Sequence, residues 1–272
     1  MYMPAAHPSI VVGIDGSRAA IDAAVWAVDE AVARDIPLRL LYAIEPDDIP
    51  EIPPDRAARK LAIAENAVRY AGATAEAADK PVRIEIEIAQ EPPTVALTRA
   101  SASAVMVCVG AVGLHHFRPE RAGSTAAKVA QAAHCPVAVI RRHGDRARRD
   151  EHWIAVDSHA AADSDAVMRT AMEEARLRDL PLRVINYGQR SGCDHPDRRL
   201  ERWRRHYPDV DVQATVSRGG LVDYLAGQGR HVRMVVIGHR NQDVVTQLLG
   251  PAGNAVLHHA DCSLLVVDRP NL

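Results

Sequence analysis

The chain has 272 residues, 25% of them charged, with a formal net charge of -2 and a pI near 6.7. That balance excludes a global pull toward nucleic acid or anionic lipid, so any bound anion must be held locally. Residues 1–8 lack the basic start and apolar stretch of a signal peptide, and no uncharged apolar run is long enough to cross a bilayer; no membrane span and a cytoplasmic location are expected. Four cysteines without a close CxxC pair suit a reducing compartment, and Cys108, Cys135 and Cys262 lie in or beside apolar runs where packing is the expected role.

In chain order, residues 9–14 form a short apolar run ending in Gly13 and Asp15, which suits a strand buried on both faces. Gly16-Ser17 signals a turn and an N-cap. Ile21, Ala24, Val25, Val28 and Val32 then recur at helical spacing and mark one apolar face. The pattern continues as a strand over 38–44, a helix over 56–78, a strand over 82–88, a short helix over 94–102 and a buried strand over 104–109. A helix over 124–133, with Ala126, Val129, Ala130 and Ala133 on one face, precedes a last strand over 136–140. Strict alternation of strand and helix predicts an α/β fold, a doubly wound, mainly parallel five-stranded sheet flanked by helices.

The chain then repeats itself. Arg34-Asp35-Ile36-Pro37-Leu38-Arg39 returns as Arg178-Asp179-Leu180-Pro181-Leu182-Arg183, an offset of 144 from 34 to 178. The opening strand returns over 153–157, which pairs Asp15 with Asp157 at an offset of 142. Val107-Cys108-Val109-Gly110 matches Val235-Val236-Ile237-Gly238, and Cys135 matches Cys262 at an offset of only 127. The second copy has therefore lost chain in its middle, in the part corresponding to 45–78. The expected organisation is two tandem domains, 1–143 and 152–272, joined by a polar, arginine-rich linker over 144–151. The arginines around Trp203, over 194–208, read as a solvated helix anchored by one tryptophan.

In doubly wound sheets ligands sit beyond the carboxyl ends of the strands, at the topological switch point. Two segments meet that requirement: Gly13 and Asp15 after the first strand, and Gly110-Ala111-Val112-Gly113 after the fourth. After nine intervening residues, Gly123-Ser124-Thr125 opens a helix. Glycines let the backbone approach an anion, and the free N–H groups at a helix start point at negative charge. Ser124 and Thr125 add hydroxyl donors, and Arg118 and Arg121 could offer charge.

The spacing Gly-x2-Gly-x9-Gly-Ser, set between this strand and this helix, resembles the ATP-binding signature of the universal stress protein family. Asp15, the Cys135-Pro136-Val137 entry to the last strand and the segment 255–262 are also similar to that family. The resemblance covers nearly the whole chain, as a tandem-domain member of mycobacterial type with an adenine nucleotide alpha hydrolase-like fold. It implies ATP, with or without Mg2+, as the ligand. Carried onto matching positions, it places Asp15 near the adenosine and the backbone at Tyr42 and Ala43 beside the base. Gly110, Ala111, Val112, Gly113, Leu114, His115 and His116, with Gly123 and Ser124, would surround the phosphates.

The second copy departs from this pattern. In Gly238-His239-Arg240-Asn241 the second glycine has become Asn241, only eight residues precede Gly250, and Pro251 stands where the serine should be. Ala155 replaces Gly13, and Ser158-His159 replaces Gly16-Ser17. Ala155, Asp157, Gly238, His239, Arg240, Asn241 and Gly250 are therefore expected to hold nucleotide more weakly than the first copy, or not at all.

Neither Gly-x4-Gly-Lys-Ser/Thr nor Gly-x-Gly-x2-Gly after the first strand occurs, which removes P-loop and dinucleotide-binding readings. The adjacent pairs His115-His116 and His258-His259 make poor chelates, and no metal site is expected. The leading expectation is a regulatory ATP-binding protein of stress adaptation or growth control with little turnover and no catalytic residue. A weak ATPase using Asp15 to orient a metal or water, and a nucleotide-free interaction module, are the alternatives. The apolar last strands, 136–140 and 264–267, could pair edge to edge, so a homodimer is expected, with a protein partner that the residues do not identify.

Overall fold

The computed structural model describes residues 7–46, 53–112, 124–141, 152–157, 165–187, 198–239 and 242–267. The chain divides into two compact units, Met1–Arg142 and His143–Leu272. The first runs β1 (Ile10–Ile14), α1 (Arg18–Arg34), β2 (Leu38–Ala43), α2 (Pro54–Glu76), β3 (Ile84–Ala89), α3 (Pro93–Ser101), β4 (Met106–Gly110), α4 (Ser124–Ala132) and β5 (Val137–Ile140). Its strands lie in the order β3-β2-β1-β4-β5, and every pairing is parallel. Helices α1 and α2 pack together over one face and α3 and α4 over the other. Ile10, Val11, Val12, Leu38, Leu40, Val107, Cys108 and Val137 are consequently buried from both sides, as expected of a covered parallel sheet.

Helix α1 buries Ile21, Ala24 and Val28 as its spacing predicts, but alanines rather than valines complete the face. Ala20, Ile21, Ala23, Ala24, Ala27, Val28 and Ala31 are buried, whereas Val25 is exposed and Val32 only half-buried. The alanines let the helix axis come close to the sheet, and close approach sets the stripe; bulkier Val25 is left at its margin.

The repeated hexapeptide is a device for ending a helix and starting a strand. Glu30 is wholly buried in α1, and Arg34 one turn later donates to its Oε2 at 2.6 Å. Asp35 then adopts the left-handed conformation with φ 52°, and its N–H closes the helix onto Ala31 and Val32, a C-cap role usually given to glycine or asparagine. Pro37 O accepts from Ile10 N at 2.9 Å, which sets the strand register. In the second unit Glu174 is wholly buried, Arg178 donates to its Oε2 at 3.2 Å, Asp179 has φ 53°, and Pro181 O accepts from Ile154 N at 2.9 Å. Only the last residue differs in partner: Arg39 faces Glu87 at 3.6 Å, and Arg183 lies 4.0 Å from the Trp153 ring centroid.

The second unit runs β6 (Trp153–Asp157), α5 (Asp165–Arg178), β7 (Leu182–Tyr187), α6 (Arg198–His206), β8 (Val212–Ser217), α7 (Leu221–Gln228), β9 (Val232–Gly238), α8 (Gln242–Leu249), α9 (Pro251–His259) and β10 (Ser263–Val267). Its order is β8-β7-β6-β9-β10, again all parallel. The lost chain length falls in the crossover between its second and third strands, where α6 has nine residues against the 23 of α2. Trp203 anchors α6, buried and stacked on Tyr207 at 6.0 Å, while Arg199 and Arg202 bind Asp165 from the solvent side. The Arg199 hydrogen bond holds the Asp165 carboxyl below its ordinary range. Cys108, Cys135 and Cys262 are buried and unbridged. Among the described residues, no helix is long and apolar enough to cross a membrane.

Replacing Arg34 or Arg178 with alanine leaves a buried carboxylate short of a charged donor, and each change should lower the stability of its own unit by roughly 1.5–3 kcal/mol. Asp35→Gly should be neutral or stabilising by up to about 1 kcal/mol, because glycine enters the left-handed region freely. Urea unfolding of the three variants checks both signs.

Candidate functional site

From β1 the chain steps first to β2 on one side and later to β4 on the other, so the switch point lies between the carboxyl ends of β1 and β4, where ligands of open α/β sheets bind. The rim there is built locally. After Ile14, Gly16 takes φ 85°, and the chain folds so that Ser17 N–H donates to Asp15 Oδ1 at 2.8 Å. The Ser17 hydroxyl in turn accepts from Ala20 N at 3.1 Å and caps α1, satisfying one of the donors a helix start leaves open. Asp15 is thus half-buried and held in place.

Across the sheet, Tyr42 is in register with Ile14. Burial first, and the Asp15 charge second, push its phenol above the ordinary value of 10.0. On the other side, Gly110 ends β4 and Ala111 N donates to Ile140 O at 2.9 Å, carrying the parallel pairing one residue past the strand. Ala111 is buried and Val112 half-buried. The strand pairings therefore bring Gly13, Asp15, Tyr42, Ala43, Gly110, Ala111 and Val112 to one rim. Helix α4 opens at Ser124, with Thr125 half-buried in its first turn. Gly113, Leu114, His115, His116 and Gly123, with Arg118 and Arg121, lie outside the described residues, as does the side chain of Ser124.

Two glycines at this rim have packing duties that motif spacing does not reveal. A Cβ at Gly110 would lie 2.6 Å from the backbone carbon of Ala19 and 2.8 Å from its oxygen, so α1 rests backbone to backbone on the end of β4. A Cβ at Gly13 would meet only side chains, Leu97 at 3.1 Å and Val109 at 3.4 Å. The arginine-rich run after β5 also holds a surprise: Arg141 is only 7% exposed, directly after the residue that receives the Ala111 N–H. The sequence expectation kept Arg141 inside the first domain, ahead of the 144–151 linker, and gave it no role; its place immediately after an apolar strand, at the same end as the glycine loop, was the available signal.

The second unit has a different alignment from the one its sequence suggests. Ile10 and Ile154 occupy the same place, each donating to the proline of the repeated hexapeptide and each paired with the leucine that follows it, Leu38 or Leu182. Gly13 pairs with Leu41, and Asp157 pairs with Ile185, its equivalent at the same offset of 144. Asp157 is therefore the counterpart of Gly13, not of Asp15, and Ala155 is the counterpart of Val11, deep in the strand. The offset of 142 matched the two aspartates by residue type, whereas the strand register places the two opening strands at an offset of 144. The position equivalent to Asp15 is His159, outside the described residues. Gly238 is buried and His239 N donates to Val267 O at 2.9 Å, repeating the Ala111 bond, whereas Arg240 and Asn241 are not described. Gly250 caps α9.

The model of the universal stress protein family matches this chain twice, over residues 8–141 and 155–268. Universal stress protein Rv2028c of Mycobacterium tuberculosis strain H37Rv is 56% identical, over 97% of this chain and 98% of its own. Universal stress protein Rv2624c of the same strain is 41% identical over 96% of both chains. A crystal structure of a universal stress protein from Archaeoglobus fulgidus superposes with a TM-score of 0.73 over 97% of both chains at 17% identity, a likeness of fold. The chain belongs to the universal stress protein family and contains two domains of that fold.

Gly110→Ala should cost roughly 2–3 kcal/mol, because the obstructing atoms are backbone, while Gly13→Ala should cost about 1 kcal/mol, because Leu97 can shift. Thermal melts of the two variants test the order. In an absorbance titration Tyr42 should ionise above the ordinary tyrosine value, and Asp15→Asn should bring it partly back. The folded form then holds the phenolic proton longer than the unfolded chain, so Tyr42 makes stability fall as pH rises above 10.0.

Proposed function

We propose that the first unit binds an adenine nucleotide, ATP with or without Mg2+, as a regulatory ligand with little turnover. The observation that carries this reading is the carboxylate at the switch point: Asp15 is tied down by its own helix cap at the end of β1, beside the end of β4. The residues present fit such a ligand. Asp15 offers acceptor oxygens to ribose hydroxyls, and the backbone at Tyr42 and Ala43 runs at the same rim where a base could lie. The start of α4, with Ser124 and Thr125, supplies the backbone donors and positive dipole end that a phosphate chain seeks. Arg141, buried beside the Ala111 strand end, adds a cation at the same end of the sheet. ATP supplies bulk and charge here that can bias how the chain meets its partners. A homodimer through edge strands, a regulatory role in stress adaptation or growth control, and domain limits near 143 and 152 belong to the same reading.

Isothermal titration of the purified chain with ATP tests it. Binding is expected, and Asp15→Asn should weaken it at least about tenfold, since a hydrogen bond to a charged group contributes roughly 1.5–3 kcal/mol. No heat with ATP, ADP or AMP at millimolar concentration, in protein with an intact melting transition, contradicts the reading.

A further inference from the structure

We propose that the outer edge of β8 is a docking surface for a second copy of this chain, paired antiparallel about a two-fold axis at Ala214. The inference rests on the homodimer of the proposed function, names the edge that joins it, and does not depend on nucleotide. Within the two units β5 and β10 are buried along their whole length, whereas the edge strands β3 and β8 are partly exposed. The ladder of β8 tells which of its backbone groups face out. Asp211 O accepts from Leu182 N at 2.8 Å, so Asp211, Gln213, Thr215 and Ser217 turn their backbone groups to β7, and Val212, Ala214 and Val216 turn theirs away. The Val212 carbonyl agrees with this direction, since it accepts from Arg204 of α6 at 2.8 and 3.1 Å. No such cap covers Ala214 or Val216 among the described residues, and the Val216 side chain is 62% exposed. An open row of strand N–H and C=O groups is a template for another strand.

The duplication supplies the comparison that decides between the two exposed edges. Leu38 and Leu182 hold the same place in the repeated hexapeptide and pair with Ile84 and Val212, so Glu85, Ile86 and Glu87 correspond to Gln213, Ala214 and Thr215. A two-fold pairing centred on Ile86 would set Glu85 of one copy against Glu87 of the other, twice. These are the non-hydrogen-bonded pairs, in which side chains come closest, and like charges directly opposite destabilise a sheet. The two glutamates, with Arg39, Arg83 and Arg99 bound around them, therefore guard the edge of β3. The same pairing centred on Ala214 sets Gln213 against Thr215 and Val212 against Val216, polar on polar and apolar on apolar. It joins Ala214 to its own copy by two N–H to C=O bonds, and β8 carries no charged residue to oppose it. A two-fold contact of this kind uses the same patch on both chains and closes on a dimer.

Sedimentation equilibrium on the full chain tests this, with melting curves to verify that each variant folds. The wild type is expected to be a reversible dimer at about 100 μM. Gln213→Glu combined with Thr215→Glu, which copies the guard of β3, should weaken association at least about tenfold. Gln213→Lys combined with Thr215→Glu brings opposite charges together across the axis and should associate at least as tightly as the wild type. Ala214→Pro keeps the bonds to β7, because the lost N–H faces outward, and should be monomeric. A monomeric wild type overturns this inference and the homodimer alike, and leaves nucleotide binding to its own test. A dimer that withstands the double glutamate change or Ala214→Pro, or equal association of the two charge variants, overturns the assignment to β8 while the homodimer stands.

Discussion

A helix and a strand end can touch backbone to backbone only where one of them gives up its side chain, and in the first unit that place is Gly110. With the Ala19 backbone 2.6 Å from where a Cβ would stand, the first turn of α1 is seated on the end of β4. Everything at the rim follows from that seat. Ser17 can cap the helix and hold Asp15 only because the helix begins there, and Asp15 can raise Tyr42 only because the turn through Gly16 brings the carboxylate to the neighbouring strand. A glycine that looks like part of a phosphate loop is first of all the residue that lets a helix close the sheet.

The two units keep a common frame and diverge at the rim. The buried Glu30–Arg34 and Glu174–Arg178 pairs, the left-handed Asp35 and Asp179, and the proline carbonyls that set the strand register recur with the same spacing. A buried carboxylate is costly unless its charge is answered, and one arginine a turn away answers it. These contacts lie at the amino-terminal ends of the strands, remote from the switch point. The fold can therefore be held constant while the other end changes from Gly13 to Asp157.

Most of the architecture was legible in the chain. Apolar runs bounded by Gly and Pro marked the strands of the first unit to within two residues at most ends, and the recurrence at 144 announced the second unit. What stayed hidden depends on distances that composition does not carry. The buried stripe of α1 is made of alanines, which weigh little in a hydropathy pattern although they decide how near the helix can come. The counterpart of Asp15 was misplaced because both opening strands run into an aspartate, and in a strand a shift of two keeps every side chain on the expected face, so the apolar pattern does not reveal it. The rim of the candidate site was legible as far as the strand ends reach: Gly13, Asp15, Tyr42 and Gly110 do meet at one switch point. The burial of Arg141 was legible only from its place directly after the last apolar strand of the unit, not from the basic run itself.

The measurement that bears most directly on this account is a crystal structure of the full chain grown with excess ATP. The account predicts a nucleotide lying across the carboxyl ends of β1 and β4 of the first unit, its ribose within hydrogen-bonding distance of Asp15 and its phosphates over the start of α4. A vacant rim at Asp15 in crystals soaked to saturation would contradict it.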